Sequence, residues 1–177
     1  RLIDRWVGIP LCFLVSLWPW KKVKSVFNSQ VQKSASSPHT IVFICIAEIG
    51  ALVVAYPAVQ EARRKYPKSR ICFITAPTGL EALELMGFDE ENIFLLETIK
   101  VKSLIKGLFK VRKYFRDSHV SAIILEPFAR FSTLLSIWIE ASQRVGFYRF
   151  KNEGVYLGNI LTHRLVYNSH LHASQSY

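Results

Sequence analysis

The sequence predicts an α/β protein built on a Rossmann-like, doubly wound and mostly parallel sheet, preceded by an apolar N-terminal helix. Three observations support this fold class. Apolar runs of strand length alternate with longer stretches of helical periodicity from residue 40 onwards. The strand-like runs are apolar on both faces, as expected when helices cover both sides of a parallel sheet. The 177 residues are 50% hydrophobic, which suffices for one domain with a substantial core.

Six stretches predict strands, beginning with the continuous apolar run "TIVFICI". The others combine β-branched and aromatic residues, bounded by turn-forming ones. The predicted strands are residues 40–46, 70–75, 92–96, 120–125, 144–148 and 163–167. Ligands of such folds gather at the carboxyl ends of the strands, so we expect the functional residues at that edge of the sheet.

Four helices are predicted between these strands, over residues 50–66, 78–86, 99–117 and 129–140. Pro67 ends the first, because proline cannot continue a helix. In the second, Thr78 is the predicted N-cap and Glu81, three residues on, completes a capping box. Gly87 closes that helix.

The charge and cysteine content narrow the functional classes. The net charge of +10 favours an anionic partner, such as nucleic acid, an acidic membrane surface or a phosphorylated substrate. Nucleic acid is disfavoured, because most of the aromatic residues fall in strands or on the apolar face of a helix, where they cannot stack on bases. Cys12, Cys45 and Cys72 are widely spaced and odd in number, which indicates reduced core thiols and a cytoplasmic protein.

Residues 1–24 form a separate apolar segment with basic flanks. Its apolar run, residues 6–20, would be about 22 Å long as a helix, short of the ~30 Å hydrocarbon core of a bilayer. An interfacial or re-entrant membrane anchor, a signal peptide, and an apolar helix packed on another part of the protein all remain open. Residues 25–39 are Ser-rich and predict a polar linker to the domain at 40–177. Because the chain opens on Arg1, we expect it to be a fragment of a longer protein.

The turn after the first strand, "AEIGA", holds one carboxylate, Glu48, and a glycine, Gly50, where a ligand could approach the backbone. Glu48 is either a general base or a residue that complements the helix dipole, an effect of about 0.3–1 kcal/mol. No G-x-G-x-x-G or P-loop pattern is present, which argues against dinucleotide or P-loop chemistry. The fourth strand ends in "ILEPFARFS", which places Glu126 and Arg130 at the same edge. They form either a ligand-facing pair, with Arg130 holding a phosphate or a sugar hydroxyl, or an ordinary strand-to-helix loop.

The third predicted helix is basic and amphipathic, with lysines at 102, 106, 110 and 113. A solvated face and contact with an anionic membrane both fit this pattern. The five histidines show no metal-binding spacing, so we expect no metal site.

Three stretches together resemble the N-terminal half of glycosyltransferase family 9, the lipopolysaccharide heptosyltransferase family. They are "IVFICIAEIGALVVAYPAVQEARRKYP", "LEPFARFSTLLSIW" and "RVGFYRFKNEGVYLGNILTHRLVYNSHLH". The resemblance implies the acceptor domain of a two-domain GT-B enzyme, with the nucleotide-sugar donor bound by a C-terminal domain absent from this chain. This chain alone is then expected to be inactive. Arg149, the last residue of "RVGFYR", joins Gly50, Glu126 and Arg130 as an expected acceptor-binding residue.

The resemblance also implies the partners: an anionic glycolipid or polysaccharide acceptor and the inner face of the bacterial inner membrane, where the protein would be peripheral or monotopic. One departure matters. Family members carry an Asp directly after the turn glycine, thought to be the base, and a Lys in the preceding strand. Here these positions are Ala51 and Cys45.

Three hypotheses follow. In the first, Glu48 has taken over the role of the base in a glycosyltransferase that moves a heptose or similar sugar. In the second, the chain is a non-catalytic, membrane-associated binding domain with a degenerate glycosyltransferase fold. A self-sufficient Rossmann enzyme for a small molecule is the third, and the missing glycine fingerprint counts against it.

Overall fold

The computed structural model describes residues 9–17, 39–127, 129–150, 157, 159–168 and 170. Helix and strand alternate along this part of the chain, as the sequence predicts. The strands are β1 (His39–Cys45), β2 (Arg70–Thr75), β3 (Ile93–Leu95), β4 (His119–Ile124), β5 (Gln143–Phe150) and β6 (His163–Tyr167). The helices are α1 (Ile9–Leu17), α2 (Ile49–Val54), α3 (Tyr56–Lys65), α4 (Leu80–Leu85), α5 (Val101–Phe115) and α6 (Arg130–Trp138), with short 3₁₀ turns at Pro77–Gly79 and Glu90–Asn92.

The six strands form one sheet in the order β3-β2-β1-β4-β5-β6, and every neighbouring pair is parallel. This is the strand order of a Rossmann-like fold, so the predicted fold class is confirmed. The chain runs outwards from β1 to β3 and then returns to place β4 on the other side of β1. The order therefore reverses between β1 and β4, and the crevice outside their carboxyl ends is where such sheets bind ligands.

Two hydrophobic clusters cover the two faces of the sheet, because alternate residues of each buried strand point to opposite sides. One face packs against α5 and α6 through residues such as Val111, Phe115 and Leu135. The other packs against α2, α3 and α4 through Leu52, Val59 and Leu83, respectively. The apolar residues on both faces of the central strands thus reflect burial on both sides.

The first two predicted helices differ from the structure. Residues 50–66 form two helices separated at Ala55, because Pro57 stands in the first turn of α3 and provides no N–H for a continuous helix. The capping box predicted at Thr78 and Glu81 is wrong. Thr78 lies between Pro77 and Gly79 in a 3₁₀ turn, so α4 starts after Gly79 and has no side-chain cap.

Arg144 locks β5 to the segment that precedes β6. Its buried guanidinium donates hydrogen bonds to the carbonyls of Ala141 and Ile160, the second at 2.8 Å. The hydroxyl of Thr162 accepts from the Arg144 backbone N–H at 2.7 Å and donates to the Arg144 carbonyl at 3.1 Å. Burial lowers the pKa of the Arg144 guanidinium, which nevertheless stays cationic as arginines in proteins do. Arg144 and Thr162, which belong to the stretch "RVGFYR…LTH", therefore have a structural role.

The N-terminal apolar segment is described only at α1, nine residues long, in which Cys12 is buried and Leu11, Phe13 and Leu14 are exposed. Across the described ranges, no helix is both long and apolar enough to cross a bilayer. The rest of segment 1–24 and residues 25–38 of the predicted linker lie outside the described residues, so the proposed anchor and linker stay predictions.

A polar network joins the amino ends of β1 and β4, at the edge of the sheet opposite the crevice. The ring nitrogens of His39 hydrogen-bond to the hydroxyls of Ser69 at 3.1 Å and Ser121 at 2.9 Å. The rings of His39 and His119 lie 5.2 Å apart. Burial and, second, the neighbouring His119 lower the pKa of His39 from its ordinary value of 6.5. Protonation of His39 therefore opposes folding.

This network predicts a loss of stability in mild acid. Because the unfolded chain protonates His39 at a higher pH than the folded chain does, stability should fall as the pH drops below about 6.5 and through the lowered pKa. His39→Gln should reduce the difference between urea midpoints measured at about pH 7.5 and about pH 5.5. His163→Gln, at an exposed position in β6, serves as the control and should leave that difference unchanged. An equal pH dependence in wild type and His39→Gln would contradict this assignment.

Candidate functional site

The turn from Ile46 to Glu48 follows β1 directly and lies at the carboxyl edge of the sheet, beside the end of β4. The Leu125 backbone N–H donates to the Ile44 carbonyl at 3.0 Å, which continues the pairing of the two strands to this edge. Glu48 and Glu126 therefore flank the point where the strand order reverses. The structure places Glu48 and Glu126 next to each other, with the Glu48 backbone N–H donating to the Glu126 carboxylate.

The carboxylate of Glu126 holds the turn through hydrogen bonds to its backbone. One carboxylate oxygen, Oε1, accepts three consecutive backbone N–H groups, from Ile46 at 2.9 Å, from Ala47, and from Glu48 at 3.2 Å. The other oxygen, Oε2, accepts from the hydroxyl of Ser132 in α6. The Glu126 side chain is only 4% exposed. Its charge is therefore compensated by charge-assisted hydrogen bonds, without a cation among these partners.

These contacts exclude one use of the turn. Successive N–H groups that point to one place form an anion site, which many α/β proteins use for phosphate. Here the three N–H groups already bind the chain's own carboxylate. A nucleotide phosphate would have to displace Glu126 to use them. The absence of a glycine-rich phosphate fingerprint agrees with this occupied site.

Cys45 supports the turn from the end of β1. Its thiol donates a hydrogen bond to the Glu48 carbonyl, with sulfur and oxygen 3.0 Å apart. Burial first, and then the negative charge of Glu126, raise the pKa of this thiol to about 12. Cys45 is thus a neutral hydrogen-bond donor at physiological pH, and it is neither a thiolate nucleophile nor a substitute for a cationic lysine.

Glu48 is the N-cap of α2, but its carboxylate does not cap the helix. The side chain is exposed, while the backbone is held on both sides: the N–H by Glu126 and the carbonyl by the N–H groups of Ala51 and Leu52. A carboxylate on a fixed backbone and facing solvent is suited to take a proton from a bound molecule.

Ala51 is the third residue of α2 and packs partly against the core face below α2. N-cap and N3 side chains approach each other closely enough to exchange hydrogen bonds in a capping box. A carboxylate at position 48 can therefore reach much the same space as one at position 51. This is the geometric basis for Glu48 as a replacement base.

Gly50 lies in the first turn of α2 and is exposed. A Cβ atom built on it would meet nothing within 4 Å. The chain's own packing therefore does not require glycine here, although glycine in a helix costs about 0.5–1 kcal/mol relative to alanine. The open space above Gly50 is consistent with the close approach of a ligand, as predicted.

The remaining predicted acceptor-binding residues differ in their accessibility. Arg130, the first residue of α6, is 9% exposed, and Glu126 is buried beneath the turn. Arg149 lies in β5, but its side chain is outside what the structure describes. Binding of an acceptor by these residues stays a prediction. The part of the chain that the structure describes contains no group of three His, Cys, Asp or Glu residues able to hold a metal ion.

The sequence placed Glu126 at the correct edge of the sheet, but it gave no indication of what the Glu126 carboxylate binds. No residue type signals that backbone N–H groups some 80 positions earlier are its partners. The only sequence signal was a glutamate directly after a buried apolar strand, where a carboxylate must find partners or remain at the surface.

Comparison with known proteins supports the fold assignment. The search of protein-family models found no match, and the search of curated proteins found none either. Among solved structures, the chain is similar to a glycosyl transferase family 9 protein from Veillonella parvula, with a TM-score of 0.60 and 18% identity. It is also similar to the E. coli heptosyltransferase WaaC in structures with ADP and with ADP-2-deoxy-2-fluoro heptose, each with a TM-score of 0.61 and 8% identity.

These similarities extend over most of this chain but only part of the other proteins. The match covers 78% of this chain and 39% of the Veillonella protein, and 77% of this chain and 44–45% of the E. coli enzyme. The chain therefore spans about two fifths of the length of the structures it matches. At these identities the likeness establishes a shared fold, found here in glycosyltransferases.

Proposed function

We propose that this chain is the acceptor-binding part of a glycosyltransferase that moves a heptose or similar sugar from a nucleotide-sugar donor to an anionic glycolipid or surface polysaccharide. The observation that carries the proposal is the exposed carboxylate of Glu48 on a turn fixed by Glu126, at the ligand-binding crevice of a fold shared with glycosyltransferases. The acceptor would enter this crevice, with Gly50 leaving room for it.

The division of labour between two domains follows from the occupied anion site. Because Glu126 already accepts the N–H groups of Ile46, Ala47 and Glu48, these three groups are not open to a donor's diphosphate. The donor is then expected to bind in a further domain, outside this chain, that faces the same crevice. The limited coverage of the similar structures is consistent with that arrangement.

The proposed chemistry is a single displacement with inversion and without a metal ion. Glu48 accepts the proton of an acceptor hydroxyl as that oxygen attacks the anomeric carbon of the donor sugar. The bond from this carbon to the diphosphate oxygen breaks, and the nucleoside diphosphate leaves with the electron pair. General-base assistance of this kind contributes roughly 10²–10⁴-fold to a rate.

The acceptor's charge is inferred from the chain's own charge. A net charge of +10 attracts phosphorylated or otherwise anionic molecules and increases their rate of encounter. Arg130 and Arg149 are the residues proposed to hold anionic groups or sugar hydroxyls near the crevice. A peripheral or monotopic position at the inner face of the bacterial inner membrane would bring the protein to lipid-linked acceptors.

A second candidate function is a non-catalytic, membrane-associated binding domain. The observation that favours it is that both charged residues implied by the family resemblance on either side of this turn are missing: Ala51 stands where the family has an Asp, and the neutral thiol of Cys45 stands where it has a Lys. Such a domain would bind acceptor without transferring sugar.

A Gly50→Ala variant of the full-length protein tests the proposed function. We expect it to fold with about 0.5–1 kcal/mol more stability, because the added methyl group finds open space and removes glycine's entropy cost. The same methyl group should displace the acceptor and reduce kcat/KM about tenfold or more. Urea denaturation measures the first effect, and acceptor-dependent release of nucleoside diphosphate, across a panel of nucleotide sugars, measures the second.

The outcomes separate the two functions. Transfer by the wild type that is weakened in Gly50→Ala supports the acceptor crevice. Transfer by Gly50→Ala at the wild-type rate contradicts the placement of the acceptor over this turn. Acceptor binding by the full-length wild type, without transfer from any nucleotide sugar, favours the binding domain.

A further inference from the structure

Helix α5 has an apolar row that the fold does not bury. Leu104, Leu108, Val111 and Phe115 of this helix pack against the sheet. Val101, Ile105 and Phe109, spaced four residues apart, form a second row beside them, and they are 69%, 48% and 58% exposed. Residues at this spacing lie on one face of a helix, so the row extends about 12 Å along the surface.

A lysine row lies directly next to the apolar one. Lys102, Lys106 and Lys110 each follow a member of the apolar row by one position, and Lys113 points in a similar direction on the helix. All four are exposed, and they take part in none of the ion pairs within the described ranges. Between residues 97 and 116 the sequence carries seven basic residues and a single acidic one.

We propose that this face of α5 binds the surface of an anionic lipid bilayer. Apolar side chains that enter the boundary between headgroups and acyl chains, flanked by lysines that contact anionic headgroups, are the arrangement of an interfacial helix. Each lysine near such a surface strengthens binding about fivefold. This inference does not depend on sugar transfer.

A bilayer fits the row better than a protein surface does. Three side chains bury a few hundred Å² at most, since even an aromatic residue buries only ~150–250 Å². A stable protein interface needs about 800 Å² on each partner. The lysine row would also repel the same row of a second copy. Nucleic acid is disfavoured because Phe109, the aromatic residue of the row, has its ring 5.4 Å from that of Trp138.

The position of α5 in the fold would bring a bound bilayer close to the crevice. The helix starts shortly after β3, at the carboxyl edge of the sheet, where the Glu48 turn also lies. Only β2 separates β3 from β1, so these two strands are about 10 Å apart. A bilayer in contact with the Val101 end of α5 would therefore lie close to the crevice, on the side of β3.

The test places an environment-sensitive dye on α5 of the full chain through Ile105→Cys. The native cysteines are 0–2% exposed, so labelling should be confined to the new thiol. We expect a blue shift of the dye with vesicles of phosphatidylcholine and phosphatidylglycerol, and little shift with phosphatidylcholine alone. Val101→Cys, at a more exposed position, should give the same result and covers the case in which Ile105→Cys folds poorly.

Matched variants distinguish binding through the apolar and lysine rows of α5 from nonspecific adsorption of the protein to lipid. Leu85→Cys, on the opposite face of the sheet and 90% exposed, should show no shift. Lys106→Gln with Lys110→Gln should raise the lipid concentration for half-maximal shift roughly thirty-fold. Lys65→Gln with Lys68→Gln removes the same amount of charge away from α5 and should change the lipid concentration for half-maximal shift less than about twofold.

Three results would overturn the proposal. The first is a dye at residue 105 or 101 that does not respond to anionic vesicles. The second is a shift equally large at residue 85 or insensitive to the Lys106 and Lys110 changes. The third is a shift that develops with protein concentration in the absence of lipid, which would assign the row to contact with a second copy of the chain.

Discussion

Replacement of Glu48 by Gln in the full-length protein should lower the rate of sugar transfer about 10²–10⁴-fold, because glutamine cannot accept the proton of the acceptor hydroxyl. Stability and acceptor binding should change little, since the carboxylate is exposed and the structure shows no capping bond from it. Single-turnover transfer measures the chemical step, and urea denaturation checks the fold.

Two comparisons make this result specific to Glu48. Glu61 is an exposed carboxylate on α3 that pairs with Arg64. Glu61→Gln removes a surface charge outside the crevice, so this variant should transfer sugar at the wild-type rate. Transfer by Glu48→Gln within about threefold of wild type would remove Glu48 from the mechanism and favour a base in another part of the protein.

Replacement of Glu126 by Ala should destabilise the protein by about 3 kcal/mol or more, because three backbone N–H groups and the Ser132 hydroxyl lose a charged acceptor in a buried place. The cavity left by the side chain adds to this cost. Urea denaturation measures the loss. Hydrogen exchange at the amides of Ile46, Ala47 and Glu48 should accelerate more than exchange in the central strands.

Ser132→Ala is the matched control for Glu126. It removes one of the hydrogen bonds to this carboxylate and leaves those to the turn intact, so we expect a loss of about 1 kcal/mol. Glu126→Ala with a loss no larger than that of Ser132→Ala would contradict the assignment of Glu126 as the residue that holds the turn.

The sequence was most informative where burial determines the pattern. The stretches 41–45 of β1 and 71–74 of β2 are wholly apolar because helices cover both of their faces, and the positions of these two strands were predicted within one residue. Helix ends were less predictable. The break at Ala55 depends on Pro57 entering a first turn, and the expected cap at Thr78 failed because Pro77 and Gly79 together favour a 3₁₀ turn.

The partners of Glu126 could not be predicted, because they depend on how β1 and β4 are paired. Residues 46 and 126 meet only once the chain has returned to place β4 beside β1. A local sequence pattern contains no information about such a contact. What it could show is a carboxylate in an apolar setting, and this correctly drew attention to position 126.

The motif "RVGFYR…LTH" that carried the family resemblance has a structural explanation. Arg144 and Thr162 hold β5 to the segment before β6. Gly146 lies within β5, where a Cβ atom would come within 3.3 Å of Ile124 in β4 and of Leu161 before β6. Arg144, Gly146 and Thr162 of this motif therefore support the fold, whereas acceptor binding by Arg149 stays a proposal.

The transfer rate of the double variant Glu48→Gln, Ala51→Asp tests whether the turn after β1 carries the catalytic base. If the turn held by Glu126 offers a base from either position 48 or position 51, the new aspartate should restore transfer from the Glu48→Gln level to within about tenfold of wild type. If the double variant folds and binds acceptor but transfers no faster than Glu48→Gln, the base of the reaction is not on this turn.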